Sequence, residues 1–263
     1  MNAITKNTIV FITGAFISHT IWKPWTEWFE SRGYKCIAPA WPHKEGTAEE
    51  LRDRLPNDRE LAGTRLKDVI NHYIAIIEKL PVKPIVIGHS LGGLIVQLLV
   101  NRELVAAGIA IHSAPAYGSL SLEWSSVRSI WKPLGLLSSS KKAYLMDQKE
   151  WNYAIANGMN AQEQKDSYQN FAIPASKLVL RDALTRDAKI DFKKVHPPIL
   201  FVTGTGDHMT PEPVIYNNFV KYDPLHSVTD YKEFKDRNHF VLALPTWQEE
   251  ADYIYEWLQV VKQ

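Results

Sequence analysis

An α/β architecture, a mostly parallel sheet of about six strands flanked by helices and carrying one inserted helical segment, is what this sequence predicts. Three observations carry that reading. Short β-branched runs alternate with longer stretches of helical period along most of the chain. The alternation lapses between residues 114 and 195, where Trp, Tyr and Ser are frequent and no buried strand is evident. At 263 residues and 45% hydrophobic content, the chain is large enough to bury one substantial core.

The elements follow in order. "TIVFIT" (8–13) reads as a strand, "WKPWTEWFESRG" (22–33) as a helix closed by Gly33, and "YKCIAPA" (34–40) as a second strand. The charged segment 41–59 contains Pro42 and Pro56 and reads as a loop. In 64–80, Leu66, Val69, Ile70, Tyr73, Ile74 and Ile77 fall on one helix face, and Pro81 ends the helix. A strand at 83–88, a helix at 91–102 and a strand at 106–113 lead to the insertion. Beyond it come a strand at 197–204, a helix after Pro211, a strand at 229–234 and a closing helix at 246–261. The expected organisation is a core domain of residues 1–113 and 196–263, with a helical cap at 114–195.

Composition narrows the function classes. Thirty basic against 29 acidic residues leave a net charge of +1, and no basic run stands out, so nothing points to a nucleic-acid partner. A neutral, partly apolar small molecule is the expected partner; the sequence does not speak to oligomeric state. The single cysteine, Cys36, excludes an intrachain disulfide and any cysteine-cluster metal site. The segment "MNAITKNTIVFITG" lacks a basic start and an apolar stretch of signal length, and no run approaches the roughly 18 apolar residues of a membrane span. A cytoplasmic protein is the expectation.

The chemistry is concentrated in "GHSLGG", residues 88–93, at the crease between a strand and a helix. Strand, Gly-x-Ser-x-Gly and helix together form the context of a nucleophile elbow, in which glycines allow close backbone approach and strain lifts the serine hydroxyl above the sheet. Ser90 is therefore the candidate nucleophile. A hydroxyl attacks only when a base takes its proton, so a histidine and an orienting carboxylate are needed at strand ends, in the order Ser, acid, His. Asp207, just past the strand ending near Gly204, and His239, past the strand ending near Phe234, meet that order. Asp236 competes as the acid but sits between Lys235 and Arg237 as a loop charge would, while "IHSAPAYG" after the preceding strand offers no carboxylate. The amides of Leu91 and of Ala15, in the loop opened by Gly14, are the candidate oxyanion donors. Phe16, Trp41 and His112 are candidate substrate contacts, His112 and His208 being lining or structural residues. Aromatic residues of the insertion, among them Trp124, Trp131, Trp151 and Tyr153, suit either an apolar pocket or the insertion's own core.

With Ser90, Asp207, His239 and the turn Thr13-Gly14-Ala15-Phe16 in place, residues 8 to 262 resemble the α/β-hydrolase fold superfamily, with 114–195 in the position of its helical cap. The resemblance implies a serine hydrolase acting on a small ester, lactone or similar carbonyl compound through an acyl-enzyme. C–C bond hydrolysis, cofactor-free perhydrolysis and a silent binding module are the alternatives. Three departures stand out. The family's antiparallel N-terminal hairpin is missing, its common His-Gly is Thr13-Gly14, and the nucleophile is serine where dehalogenase relatives place Asp. No cofactor and no metal are expected: there is no H-E-x-x-H, and "GTGDHM" (204–209) lacks the third glycine of a dinucleotide loop.

Overall fold

The computed structural model describes residues 8–119 and 123–261; the start of the chain, on which the reading of its first residues rests, lies outside them. From the first strand, β1 (Thr8–Ile12), the chain passes through a 3-10 turn into α1 (Lys23–Glu30) and then β2 (Lys35–Ile37). Three helices follow, α2 (Ala48–Asp53), α3 (Arg59–Gly63) and α4 (Leu66–Ile77). The central unit is β3 (Ile85–His89), α5 (Leu91–Asn101) and β4 (Ala107–Ile111). The insertion carries α6 (Trp124–Leu134), α7 (Gln148–Ala154), α8 (Ala161–Phe171) and α9 (Lys177–Asp182). The chain closes with β5 (Ile199–Gly204), α10 (Glu212–Phe219), β6 (Thr229–Phe234) and α11 (Trp247–Val260).

All six strands pair in parallel, in the order β2-β1-β3-β4-β5-β6. The interior strands are buried along nearly their whole length, as a sheet covered on both faces requires. The outer strands β2 and β6 carry Lys35, Asp230, Lys232 and Glu233 and stay partly exposed, which keeps the sheet edges from pairing with other chains. Helix α5, apolar but for Gln97 between Leu91 and Val100, is buried along that span and packed against β3 and β4. The side chain of Asp68 secures the start of α4 by accepting from the Arg65 amide at 2.9 Å. Because parallel strands share one polarity, the carboxyl ends of β1, β3, β5 and β6 gather at one edge of the sheet.

The structure departs from expectation at two places in the core. The second strand is shorter than 34–40, ending at Ile37 ahead of Pro39 on the sheet edge. Segment 41–59, expected as a loop, contains α2, opened by a capping box between Thr47 and Glu50. Leu51 of α2 is buried with Ala48 against Ile173 of the insertion, and the Arg52 guanidinium donates to the carbonyls of Tyr168, Gln169 and Ala172 at the end of α8. A helix stabilised by a partner more than 100 residues away leaves only a weak local signal.

The insertion is packed into the molecule. Trp151 is fully buried, its ring edge-on to Tyr168 and to Phe240 in the loop after β6. Arg65 clasps Asp182 of α9 through two hydrogen bonds of 2.8 and 2.7 Å. Among the described residues no helix is long and apolar enough to cross a membrane.

Candidate active site

The strand-to-helix crease imposes its residue types by sterics. Ser90 sits between β3 and α5 with φ 57° and ψ −123°, a conformation costly for any residue with a side chain. Backbone bonds hold it there: its N–H donates to Ile111 O at 3.0 Å, and its carbonyl accepts from Gly93 N and Ala114 N at 2.9 Å each and from Leu94 N at 3.4 Å. A Cβ on Gly88 would lie 2.3 Å from Gly92 O, and one on Gly92 only 2.2 Å from Ile12 O. Both glycines flanking Ser90 in the motif are therefore demanded by close backbone approach.

The loop after β1 closes on the same point. A Cβ at Gly14 would fall 2.7 Å from Ser90 Cβ and 3.2 Å from its Oγ, so that loop touches the serine side chain. Ala15 and Leu91 are both buried. Among the described residues their amides have no hydrogen-bond acceptor. Buried amides are rarely left unpaired, so two beside one hydroxyl constitute a ready site for an oxygen that gains negative charge.

On the other side, loops after β5 and β6 bring Asp207 and His239 together. His239 Nδ1 donates to Asp207 Oδ2 at 2.7 Å. The amides of Met209 and Thr210 donate to Asp207 Oδ1 at 2.7 and 3.0 Å, and the Thr210 hydroxyl lies 2.9 Å from Oδ2. His112 Nδ1 also donates to Oδ2, at 2.7 Å. Burial acts to raise the Asp207 carboxyl, but the charge of His239 and the N–H bonds from both histidines outweigh it and hold the group well below the usual carboxylate range. Asp207 is thus an anion fixed from several directions.

Two further histidines complete this cluster. His89 Nε2 donates to the backbone carbonyl of His239 at 3.0 Å, and the two rings lie 4.6 Å apart. Burial, then the neighbouring histidines, push the His89 imidazole well below its ordinary value; burial also lowers His112, against the pull of Asp207. Burial favours the neutral form of both rings, and each has one buried ring nitrogen without a partner among the described residues. The sequence gives no signal for His89, because its position in the motif is a free letter.

Ser90, Ala15, Phe16, Leu91 and His239 line the floor of a cavity of about 290 Å³. Its roof comes from the insertion, with Val127, Ile130, Trp131 and Leu134 of α6 and Leu180 of α9. Of the expected substrate contacts, only Phe16 reaches it. Trp41 lies in a separate small recess with its ring against the Lys44 amine, and His112 is wholly buried behind Asp207. Asp236 is exposed in a φ 59° turn, its amide bonded to Thr205 Oγ1. His208 turns to the Tyr153 carbonyl. Among the insertion's aromatics, Trp151 is core, while Trp124 and Trp131 are 77% and 59% exposed.

His112, Asp207 and His239 also place three donor atoms within 4.8 Å of one another. Both Nδ1 atoms spend their protons on Asp207 Oδ2, so neither offers a lone pair to a cation there. The arrangement suits proton transfer rather than metal binding.

The family model described as "Alpha/beta hydrolase family" matches residues 9–251. No curated protein matches the sequence. Solved structures do: the monoacylglycerol lipase of Paleococcus ferrophilus has a TM-score of 0.69 at 20% identity, with 99% of this chain and 97% of that chain covered. A methylesterase from Arabidopsis gives 0.66 at 13% identity, covering 96% of this chain and 99% of that one. Tomato methylketone synthase I, solved as a variant complexed with beta-ketoheptanoate, gives 0.70 at 13% identity, covering 98% and 100%. At identities of 13 to 20% these likenesses carry the fold alone.

Proposed function

The chain belongs to the alpha/beta hydrolase family, and from that premise we propose that it is a serine hydrolase cleaving a small, partly apolar carboxylic ester, lactone or similar carbonyl compound, with Ser90 as nucleophile, His239 as base and Asp207 orienting the base. One observation carries the reading: His239, bonded through Nδ1 to a buried carboxylate, shares a cavity floor with a serine held in strained backbone.

The steps follow from that geometry. Ser90 Oγ attacks the carbonyl carbon while His239 Nε2 takes its proton. Asp207 holds the imidazole in the Nδ1–H tautomer and stabilises the imidazolium that forms. The carbonyl oxygen, now an anion, takes hydrogen bonds from the Ala15 and Leu91 amides. Collapse returns the proton through His239 to the departing alcohol oxygen and leaves an acyl group on Ser90. Water, deprotonated by His239, then attacks the acyl carbon, and as the bond to Ser90 Oγ breaks His239 returns the proton to that oxygen and the acid is released.

Residues 114–195 act as the cap over a core of 1–113 and 196–263. Small-molecule sites span roughly 300–1,000 Å³, so a cavity of about 290 Å³ with a largely aliphatic roof suits a substrate of modest size and little charge. Turnover of aryl esters of increasing acyl length, compared among the wild type, Ser90→Ala and His239→Ala, tests the assignment. Wild-type turnover, reduced about 10⁴-fold or more in each variant, is expected. An inert wild type, or a Ser90→Ala variant with full activity, contradicts it.

A further inference from the structure

Lys44 takes no part in the chemistry above, yet it is buried beside it. It lies between β2 and α2, in the recess it shares with Thr13, Gly14, His19, Trp41 and Ile173. Its Nζ donates to the carbonyl oxygen of Ala15 at 2.5 Å and lies 4.4 Å from the centre of the Trp41 ring. Among the described residues it has no carboxylate partner. His19 is the other titratable group lining the recess, and burial lowers it in turn. Burial pushes the Lys44 amine down to about 7. A buried amine without a counter-charge destabilises a fold, and a methionine of similar length would fill the space at less cost.

What the amine holds is the Ala15 carbonyl. Two consecutive carbonyls of this loop are tied from outside the cavity, Ala15 O by Lys44 and Phe16 O by the Ile173 amide at 3.0 Å. The amides of the same two residues have no acceptor among the described residues. A peptide is planar, so holding the Ala15 carbonyl fixes the plane it shares with the Phe16 N–H, and it restrains ψ of Ala15, which sets that plane against the Gly14–Ala15 plane carrying the Ala15 N–H. We propose that Lys44 is a positioning residue for the oxyanion site: its hydrogen bond to the Ala15 carbonyl holds the Ala15–Phe16 peptide, and with it the loop conformation that presents the Ala15 amide to the oxygen of the reacting carbonyl. The inference rests on the assignment of Ser90 as a hydrolase nucleophile.

The test is Lys44→Met, with wild type alongside, on an aryl ester the wild type hydrolyses. Loss of a well-placed oxyanion donor costs on the order of 100-fold or more, so a displaced one is expected to lower kcat about 10- to 100-fold with KM within about twofold. A trifluoromethyl ketone analogue, which adds to Ser90 and forms an oxyanion, loses affinity in step with kcat, while the matching alcohol binds as before. The melting temperature stays level or rises, because an uncompensated amine has gone. Lys44→Gln, which keeps an N–H donor in the recess, recovers part of the kcat; equal loss in both variants contradicts the proposal. So does an unchanged kcat in folded Lys44→Met, or an equal loss of ketone and alcohol affinity with a lower melting temperature, which marks a structural role only. If the wild type neither turns over esters nor reacts with a fluorophosphonate, the Ser90 assignment falls and takes this inference with it. An active wild type beside an unaffected Lys44→Met removes the Lys44 role alone.

Discussion

The floor of the cavity and its roof are built by different means. The floor is backbone: Ser90 at positive φ, Gly14 in contact with its side chain, and the amides of Ala15 and Leu91, which have no acceptor among the described residues. The roof is side chains, an apolar surface of Val127, Ile130, Leu134 and Leu180. A floor made of close approaches demands particular residue types; a roof made of contacts demands only volume and apolarity. On the proposed function the reaction belongs to the floor and the choice of substrate to the roof, and mutation should divide them.

The largest effects belong to the floor. Ser90→Ala removes the proposed nucleophile and is expected to lower kcat by about 10⁴ to 10⁶, read by steady-state turnover of an aryl ester. Asp207→Asn comes next, about 10³- to 10⁴-fold, because an amide cannot hold His239 in the Nδ1–H tautomer. His112 bonds the same oxygen, so this variant also checks whether one histidine can use what the other releases. Gly14→Ala drives a methyl against Ser90 and should lower kcat on the order of 100-fold while the protein still melts cooperatively.

Roof changes are smaller and of another kind. Leu180→Trp, which shortens the cavity, should raise KM for the longer acyl esters about tenfold and leave kcat for an acetyl ester within about twofold. A loss of kcat for every ester would break the division between floor and roof. A last effect is on stability rather than turnover. The Lys44 amine is lowered from its ordinary value to about 7, so an unfolded chain binds a proton there that the folded chain does not, and stability is lost as pH falls from about 10 toward 7. Lys44→Met lacks this loss; its advantage in melting temperature over the wild type should be largest at pH 7 and shrink toward pH 9.5. An advantage that grows with pH contradicts the assignment.

The same contrast explains what could be read from the sequence. Four central strands and α5 were legible because burial on both sides leaves continuous apolar runs. Ser90 and its glycines were legible because sterics at a crease leave few permitted letters. Asp207 and His239 followed from chain order and strand ends, and the structure brings the two within 2.7 Å. His89, His112 and Lys44 were not read in their places, since each acts through a contact with a residue far away in the chain: 150 residues for His89, 95 for His112 and 29 for Lys44. Trp41 was misplaced for the same reason, as the end of a strand tells where a side chain starts and not which recess it enters.

The central claim is that Ser90 is the nucleophile on this floor. Reaction of the folded protein with a fluorophosphonate, followed by proteolysis and mass spectrometry of the labelled peptide, tests it most directly. A single adduct on the peptide containing Ser90, absent in Ser90→Ala and strongly slowed in His239→Ala, is the predicted result. Labelling at another residue, or none in the wild type, would contradict it.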